Sequence, residues 1–197
     1  MEGANTIDLK LFHSSVYGDL EGVRAALAQG GSVSFRFSDG HTPLVVAAMN
    51  GHSDICSVLL AHGSDVNEMD PLTKDTTLHK AAARGYEALV EVLLSWGADV
   101  DHKNNVFGGT PLYNASQEGH LACVLTLLKA GASVSLPTND WYLPIHIAAV
   151  NNRVDIVRAL LEHGCSLDMV SCSDNQLATI ILTFSFFSAT KRMDGHR

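Results

Sequence analysis

Asp39-Gly40-His41-Thr42-Pro43-Leu44-Val45-Val46-Ala47-Ala48, then Gly51-His52, Leu59-Leu60 and Gly63-Ser64-Asp65-Val66-Asn67, decides how this chain folds. The stretch reads as one loop and two short helices. The Thr42 hydroxyl is suited to cap a helix, and Pro43 fits the first helical position, where a missing N–H leaves no bond unmade. Gly51 closes that helix, because a residue without Cβ takes a positive φ at little cost. In the helix that follows, Ile55, Val58 and Leu59 share one face, and Asp54 lies near the positive end of the dipole. Gly63 ends it.

The same unit recurs along the chain. Thr42, Thr76 and Thr110 stand 34 residues apart, and Pro111 and Pro144 stand 33 apart. The first helix of each copy carries Ala47-Ala48, Ala81-Ala82, Ala115-Ser116 or Ala148-Ala149. The second carries Leu59-Leu60, Leu93-Leu94, Leu127-Leu128 or Leu160-Leu161, and Gly63, Gly97, Gly131 and Gly164 close the copies. A two-helix unit of this size cannot bury its apolar face alone, so the copies are expected to stack into a solenoid.

On these residues the chain resembles the ankyrin-repeat family. The family's motifs stand here as Thr76-Thr77-Leu78-His79-Lys80-Ala81, Gly119-His120, Leu93-Leu94 and Gly97-Ala98-Asp99-Val100-Asp101. The likeness is strong over 39–168 and weak over 9–38. Thr77 departs from it in place of proline, Val45 and Tyr113 in place of histidine, Trp141 in place of a finger glycine and Asn152 in place of the inter-helix glycine. The resemblance implies an all-α solenoid of stacked helix-turn-helix pairs with hairpin fingers. Its expected divisions are a leader at 1–8, a degenerate N-terminal capping repeat at 9–38, repeats at 39–72, 73–106, 107–139 and 140–172, and a divergent apolar cap or tail at 173–197.

The first copy lacks Thr-Pro, and Lys10, His13, Ser14 and Ser15 fit a terminal repeat with one face in water. At the other end the run Leu177 to Phe187 is apolar but carries no repeat motif. It is too short to cross a bilayer, which takes about 20 residues, and is expected to cover the end of the stack.

A formal net charge of −8 argues against nucleic-acid or anionic-membrane partners, which would call for a basic face. The four cysteines form no disulfide framework, since Cys56 and Cys123 fall at apolar outer-helix positions and Cys165 at an alanine position. With no basic start followed by an apolar run at the N-terminus, cytoplasm or nucleus is the expected location.

Six of the ten histidines fall at repeat positions: His79 and His146, His52 and His120, His62 and His163. Equivalent side chains would stand roughly 10 Å apart along such a stack, too far to share one metal ion. His163, Cys165 and Cys172 group more tightly but lack paired Cys-x-x-Cys spacing. No nucleophile elbow and no phosphate loop is present in the sequence, so neither enzyme activity nor a cofactor is expected.

What remains is a surface. In the resembling fold, the residues after the alanine pair and those flanking the finger turn face a concave groove. Here they include Tyr17, His41, Met49, Asn50, Asp75, Arg84, Phe107, Gln117, Glu118, Asp140, Trp141, Tyr142 and Asn151, expected to bind an unidentified protein as a monomeric scaffold. Trp141 reads either as a binding anchor or as a shield for the neighbouring finger. The Trp141-Tyr142-Leu143-Pro144-Ile145-His146 run is also similar to repeats of the ankyrin and SOCS-box family, which would make the chain a ubiquitin-ligase substrate receptor. Residues 169–197 carry no recruiting box. Asn67, with Leu59 eight residues before it, resembles the family's target for asparaginyl hydroxylation, and alternatively reads as a turn residue.

Overall fold

The computed structural model describes residues 6–165. The apolar run Leu177 to Phe187 and Cys172, on which expectations were placed above, lie outside the described residues. The described part is all α-helical. In chain order it holds α1 (Thr6–Tyr17), α2 (Leu20–Ala28), α3 (Pro43–Met49), α4 (Ser53–Ala61), α5 (Thr77–Arg84), α6 (Glu87–Ser95), α7 (Pro111–Glu118), α8 (Leu121–Lys129), α9 (Pro144–Val150) and α10 (Val154–Glu162).

Odd-numbered helices pack on one another as an inner layer, even-numbered helices as an outer layer, and each inner helix packs on the outer helix that follows it. Leu44, Ala47 and Ala48 of α3, and Leu78, Ala81 and Ala82 of α5, are fully buried. Alanine at these positions lets neighbouring inner helices approach closely. The outer layer is filled by Leu59, Leu93, Leu127 and Leu160, all inaccessible to water. Among the described residues no helix is long and apolar enough to cross a membrane.

The helix starts follow the threonines. Thr42 Oγ1 accepts from the N–H of Val45, Thr76 Oγ1 from His79 and Thr110 Oγ1 from Tyr113. Leu143 cannot cap α9 with its side chain, and only the reciprocal bond survives there, from its N–H to His146 Nδ1 at 3.0 Å. Thr77, at a proline position, uses its hydroxyl to donate to the carbonyl of Val66 at 2.8 Å, a tie that proline could not make.

Successive repeats also interlock. The rings of His52, Tyr86 and His120 and the guanidinium of Arg153 lie where a Cβ on Gly18, Gly51, Gly85 and Gly119 would fall, all within about 3 Å. Glycine at these turns therefore makes room for the next repeat as well as taking the positive φ. Asn152, the corresponding residue of the last described repeat, takes φ 56°. Asn tolerates this conformation better than most residues with a side chain.

Two expectations at the N-terminus are corrected. The helix begins at Thr6, inside the stretch expected as a loose leader. Asp8 Oδ1 accepts from the N–H of Ser32 at 2.7 Å and Ile7 packs against the core, so both are held by the first repeat. Lys10 and His13 face water as expected, but Ser14 and Ser15 are buried. They occupy the alanine-pair positions, and the Ser15 hydroxyl is satisfied by donating to the Leu11 carbonyl at 2.8 Å.

Candidate partner-binding surface

Each finger is closed by one backbone bond at an equivalent place: Phe37 to His41, Asp70 to Asp75, Asn104 to Gly109, and Thr138 to Tyr142, donor first. The second and third fingers are one residue longer than the first and fourth. This accounts for the 33-residue step between Pro111 and Pro144. The penultimate finger residue is left-handed in all four, as Gly40, Lys74, Gly108 and Trp141. For Lys74 and Trp141 that conformation costs about 1–2 kcal/mol each relative to an ordinary φ.

A polar chain runs through the first three fingers. His41 Nδ1 lies 3.0 Å from Asp39 Oδ2 and its Nε2 3.1 Å from Asp70 Oδ2. Lys80 Nζ bridges Asp70 at 3.2 Å and Asp75 at 3.0 Å. Asp75 Oδ1 then accepts from Asn104 Nδ2 at 2.8 Å, and Asn104 Oδ1 accepts from the N–H groups of Phe107 and Gly109. Burial pushes the Asp70 carboxyl up. The N–H groups of Thr73 and Leu72, the His41 ring and the Lys80 ammonium outweigh it, and hold the group well below the usual carboxylate range. His41 and Asp75, both expected on the binding surface, are half-buried and have their side-chain polar atoms engaged within this chain.

The other expected residues fall into three settings. Asn50, Arg84, Gln117 and Glu118 are exposed at the C-terminal ends of the inner helices, with Met49 half-buried beside them. Asn151 is exposed too, but its Nδ2 donates to the Gln117 carbonyl at 2.9 Å and so links two repeats. Tyr17 shares the free face of α1 with Thr6, Leu9, Lys10 and His13, around an open depression at the end of the stack.

The finger tips carry the exposed apolar surface. Phe107 is 59% exposed and Trp141 72% exposed, while Tyr142 is half-buried with its ring edge-on to His146. The high exposure of Trp141 leaves little room for the shielding alternative. Leu72 at 88% and Val106 at 49% join them, although the sequence reading passed over both. The signal available was an apolar residue inside a turn, Leu72 directly after Pro71 and Val106 directly before Phe107. Adjacent tips are tied, since the N–H of Asn105 donates to the Thr73 carbonyl at 3.1 Å and that of Asn139 to the Phe107 carbonyl at 2.8 Å. The tips thus form one fixed array.

The repeat histidines are bonded to backbone. His52 and His120 Nε2 meet the carbonyls of Val16 and Ala83, and His62 and His163 Nδ1 meet those of Val58 and Ala159. His79 accepts at Nδ1 from the N–H of Thr76, so its Nε2 donates to the Gly109 carbonyl of the next finger at 3.1 Å. Burial lowers the pKa of this ring and favours the neutral form that the two bonds require. Among the described residues His146 Nε2 is buried without a partner. Among the described residues no cluster of His, Cys, Asp or Glu side chains has the arrangement of a metal site. Burial pushes the thiols of Cys56 and Cys123 up to about 12 and about 11, aided in turn by the carboxylates of Asp54 and Glu87. Both thiols are therefore unreactive core groups.

Asn67 lies at a junction between repeats. Its Oδ1 accepts from the N–H of Asp99 at 2.8 Å, as Asp101 Oδ1 accepts from Ser133 one repeat later. The side chain is thus part of a structural tie.

Comparison with known proteins agrees with this architecture. The family model for ankyrin repeats (3 copies) matches residues 11–104 and 78–171. A 62-residue stretch is 41% identical to XBAT35 of Arabidopsis thaliana, whose name proposes an E3 ubiquitin-protein ligase, and covers 31% of this chain and 13% of that protein. A 54-residue stretch is 43% identical to the Arf-GAP with coiled-coil, ANK repeat and PH domain-containing protein 3 of Homo sapiens, and covers 26% of this chain and 6% of that one. The likeness therefore spans a small part of either relative. With its capped helix pairs, buried alanine and leucine rows and interlocked glycines, this chain belongs to the ankyrin-repeat family, whose stacks are protein–protein interaction modules.

Proposed function

We propose that the chain is a non-catalytic, monomeric scaffold of cytoplasm or nucleus that holds one protein partner between its inner helices and its fingers, with no nucleic acid, membrane or cofactor involved. The observation that carries this reading is the exposed apolar row Leu72, Val106, Phe107 and Trp141 on an otherwise internally bonded array. Large aromatic side chains are the commonest binding anchors, because they bury much area at small entropic cost. Affinity purification with crosslinking and mass spectrometry tests it. A specific partner should be recovered with the wild type and lost with Trp141→Ala and Phe107→Ala. Equal recovery with these variants would move the binding surface elsewhere.

A second reading, substrate receptor of a ubiquitin ligase, draws support from the stretch similar to XBAT35. It requires ligase components among the recovered proteins, and their absence from a complex that retains the partner would remove it. Asn67 is also proposed as a hydroxylation site. Its bonded side chain requires the junction with Asp99 to open before an enzyme could reach it. Peptide mass spectrometry from oxygenated cells decides this, an unmodified Asn67 leaving only the structural role.

A further inference from the structure

The two ends of the stack are finished differently. At the first end Asp19 caps α2 from the place that His52 takes before α4. Its carboxylate is spent inside the repeat, accepting from the Gly22 N–H at 2.9 Å and from the Ser14 hydroxyl at 3.4 Å. At the last described repeat, two polar groups lack partners that their counterparts in earlier repeats possess.

The first is a donor. His79 and His146 both accept at Nδ1, from the N–H groups of Thr76 and Leu143, which leaves the ring proton on Nε2. His79 gives that proton to the carbonyl of Gly109, the closing residue of the next finger. His146 is 1% exposed, and among the described residues its Nε2 meets no acceptor. A buried donor in that state costs about 1–3 kcal/mol, and so such groups are nearly always met.

The second is an acceptor. The carbonyls of Thr73 and Phe107, which precede the left-handed Lys74 and Gly108, accept from the N–H groups of Asn105 and Asn139 on the next finger. Asp140 precedes the left-handed Trp141, and among the described residues no N–H reaches its carbonyl. The Asp39 carbonyl lacks this bond for a different reason, since Pro71 stands in the donor's place and has no N–H. In the third finger one segment supplies both groups: the Asn105 N–H to Thr73 and the Gly109 carbonyl to His79.

The sequence past Cys165 has the spacing of such a finger. Asp70, Asn104 and Thr138 stand seven residues after Gly63, Gly97 and Gly131, and each is followed by the residue in the donor's place. Seven residues after Gly164 stands Ser171, and Cys172 follows it. A finger as long as the second and third then has Asn175 at the left-handed place, which asparagine tolerates, and Gln176 at the closing place. Leu177 follows, as Leu143 follows Tyr142.

We infer that 171–176, which lie outside the described residues, form a fifth finger docked on the fourth. The Cys172 N–H meets the Asp140 carbonyl, and the Gln176 carbonyl meets His146 Nε2. Trp141 is then an inner member of the row of tips rather than its end, and Asp174 gives the row an acidic margin beside it. The inference stands independently of the interaction reading above.

Two measurements on the full chain test it. Asp140→Cys, oxidised in a glutathione buffer, should form an intramolecular disulfide with the native Cys172, identified by peptide mass spectrometry and abolished by Cys172→Ser. A control chain carries Phe107→Cys and Asn139→Cys, across the tie between the third and fourth fingers. The effective concentration of the Asp140→Cys pair should lie within about tenfold of the control. A lower value overturns the inference, and so does the same bond formed between two molecules, which would place a second copy on this edge. Hydrogen exchange gives the second readout. The Cys172 amide should exchange at least about tenfold more slowly than in a free peptide of 166–177. His146→Phe should speed it about tenfold and leave the amides of α3 and α5 at their wild-type rates, which separates loss of this bond from misfolding. An unprotected Cys172 amide, or one indifferent to His146→Phe, overturns the inference.

Discussion

The first three fingers and the fourth use the same turn for opposite ends. In the first three, His41, Asp70, Lys80, Asp75 and Asn104 form a continuous polar chain that ties each finger to the next. In the fourth, Thr138 stands where Asp70 and Asn104 stand earlier, and its hydroxyl accepts only from the N–H of Tyr142 at 3.0 Å. No ion pair reaches that finger among the described residues. Its left-handed residue is an exposed tryptophan where the first and third fingers have glycine. The difference separates a part of the surface that stabilises itself from a part whose strained and exposed side chain gains little within the chain. Both parts sit on the same leucine core.

That core sets the largest expected effect. Leu93→Ala should cost about 2–5 kcal/mol in denaturant unfolding, since the side chain is wholly buried and the outer layer cannot collapse around the gap. A loss below about 0.5 kcal/mol, the usual limit for surface changes, would mean that the fingers and not the core dominate stability.

The comparison itself is tested by matched changes in two fingers. Asp70→Ala removes a carboxylate that serves two N–H groups, His41 and Lys80, and should cost about 1.5–3 kcal/mol, the range for bonds to charged groups. Thr138→Ala should cost about 1 kcal/mol, as for one neutral bond. Equal losses would erase the distinction between the fingers.

Acid should act on the same group. The folded pKa of Asp70 is depressed, so its contribution is fully present above the unfolded value of about 3.9 and is lost as pH falls through the folded value. The stability of the wild type should therefore fall steeply below about pH 4, and that of Asp70→Asn less steeply. Parallel profiles would assign the acid sensitivity to other carboxylates.

The smallest stability effect has the opposite sign. Trp141→Gly should raise stability by about 1 kcal/mol, because glycine relieves the positive φ, while removing partner binding. A destabilised variant would show that the indole packs on its neighbours and that the fourth finger resembles the others after all.

Much of the fold was legible because its signals are local. A threonine cap, a proline in the first turn, an alanine pair and a closing glycine each act within a few residues, and their 33- to 34-residue recurrence fixed the number and order of helix pairs from 39 to 164. Two stretches at the start misled. Ser14 and Ser15 are polar, yet a hydroxyl that bonds the preceding turn can be buried at an alanine site. Ile7 and Asp8 carry no repeat motif, and only the contact of Asp8 with Ser32, 24 residues away, brings them into the first repeat.

The amino-acid sequence alone therefore determined the solenoid, its register and the aromatic character of the fourth finger. The tertiary structure decided which surface residues are free. His41 and Asp75 look like groove residues in one dimension, but their partners Asp70 and Asn104 lie 29 residues on, and no periodicity within a single repeat reveals such a bond. Leu72 and Val106 came to light the same way, since an apolar residue in a turn is placed inside or outside by how the neighbouring repeat docks. The left-handed backbone of Trp141 likewise follows from closing its finger against Thr138, and the tie from Asn139 to Phe107 brings that finger into the same array of tips. Helices are specified by neighbours in sequence, whereas the binding face is specified by neighbours in the stack.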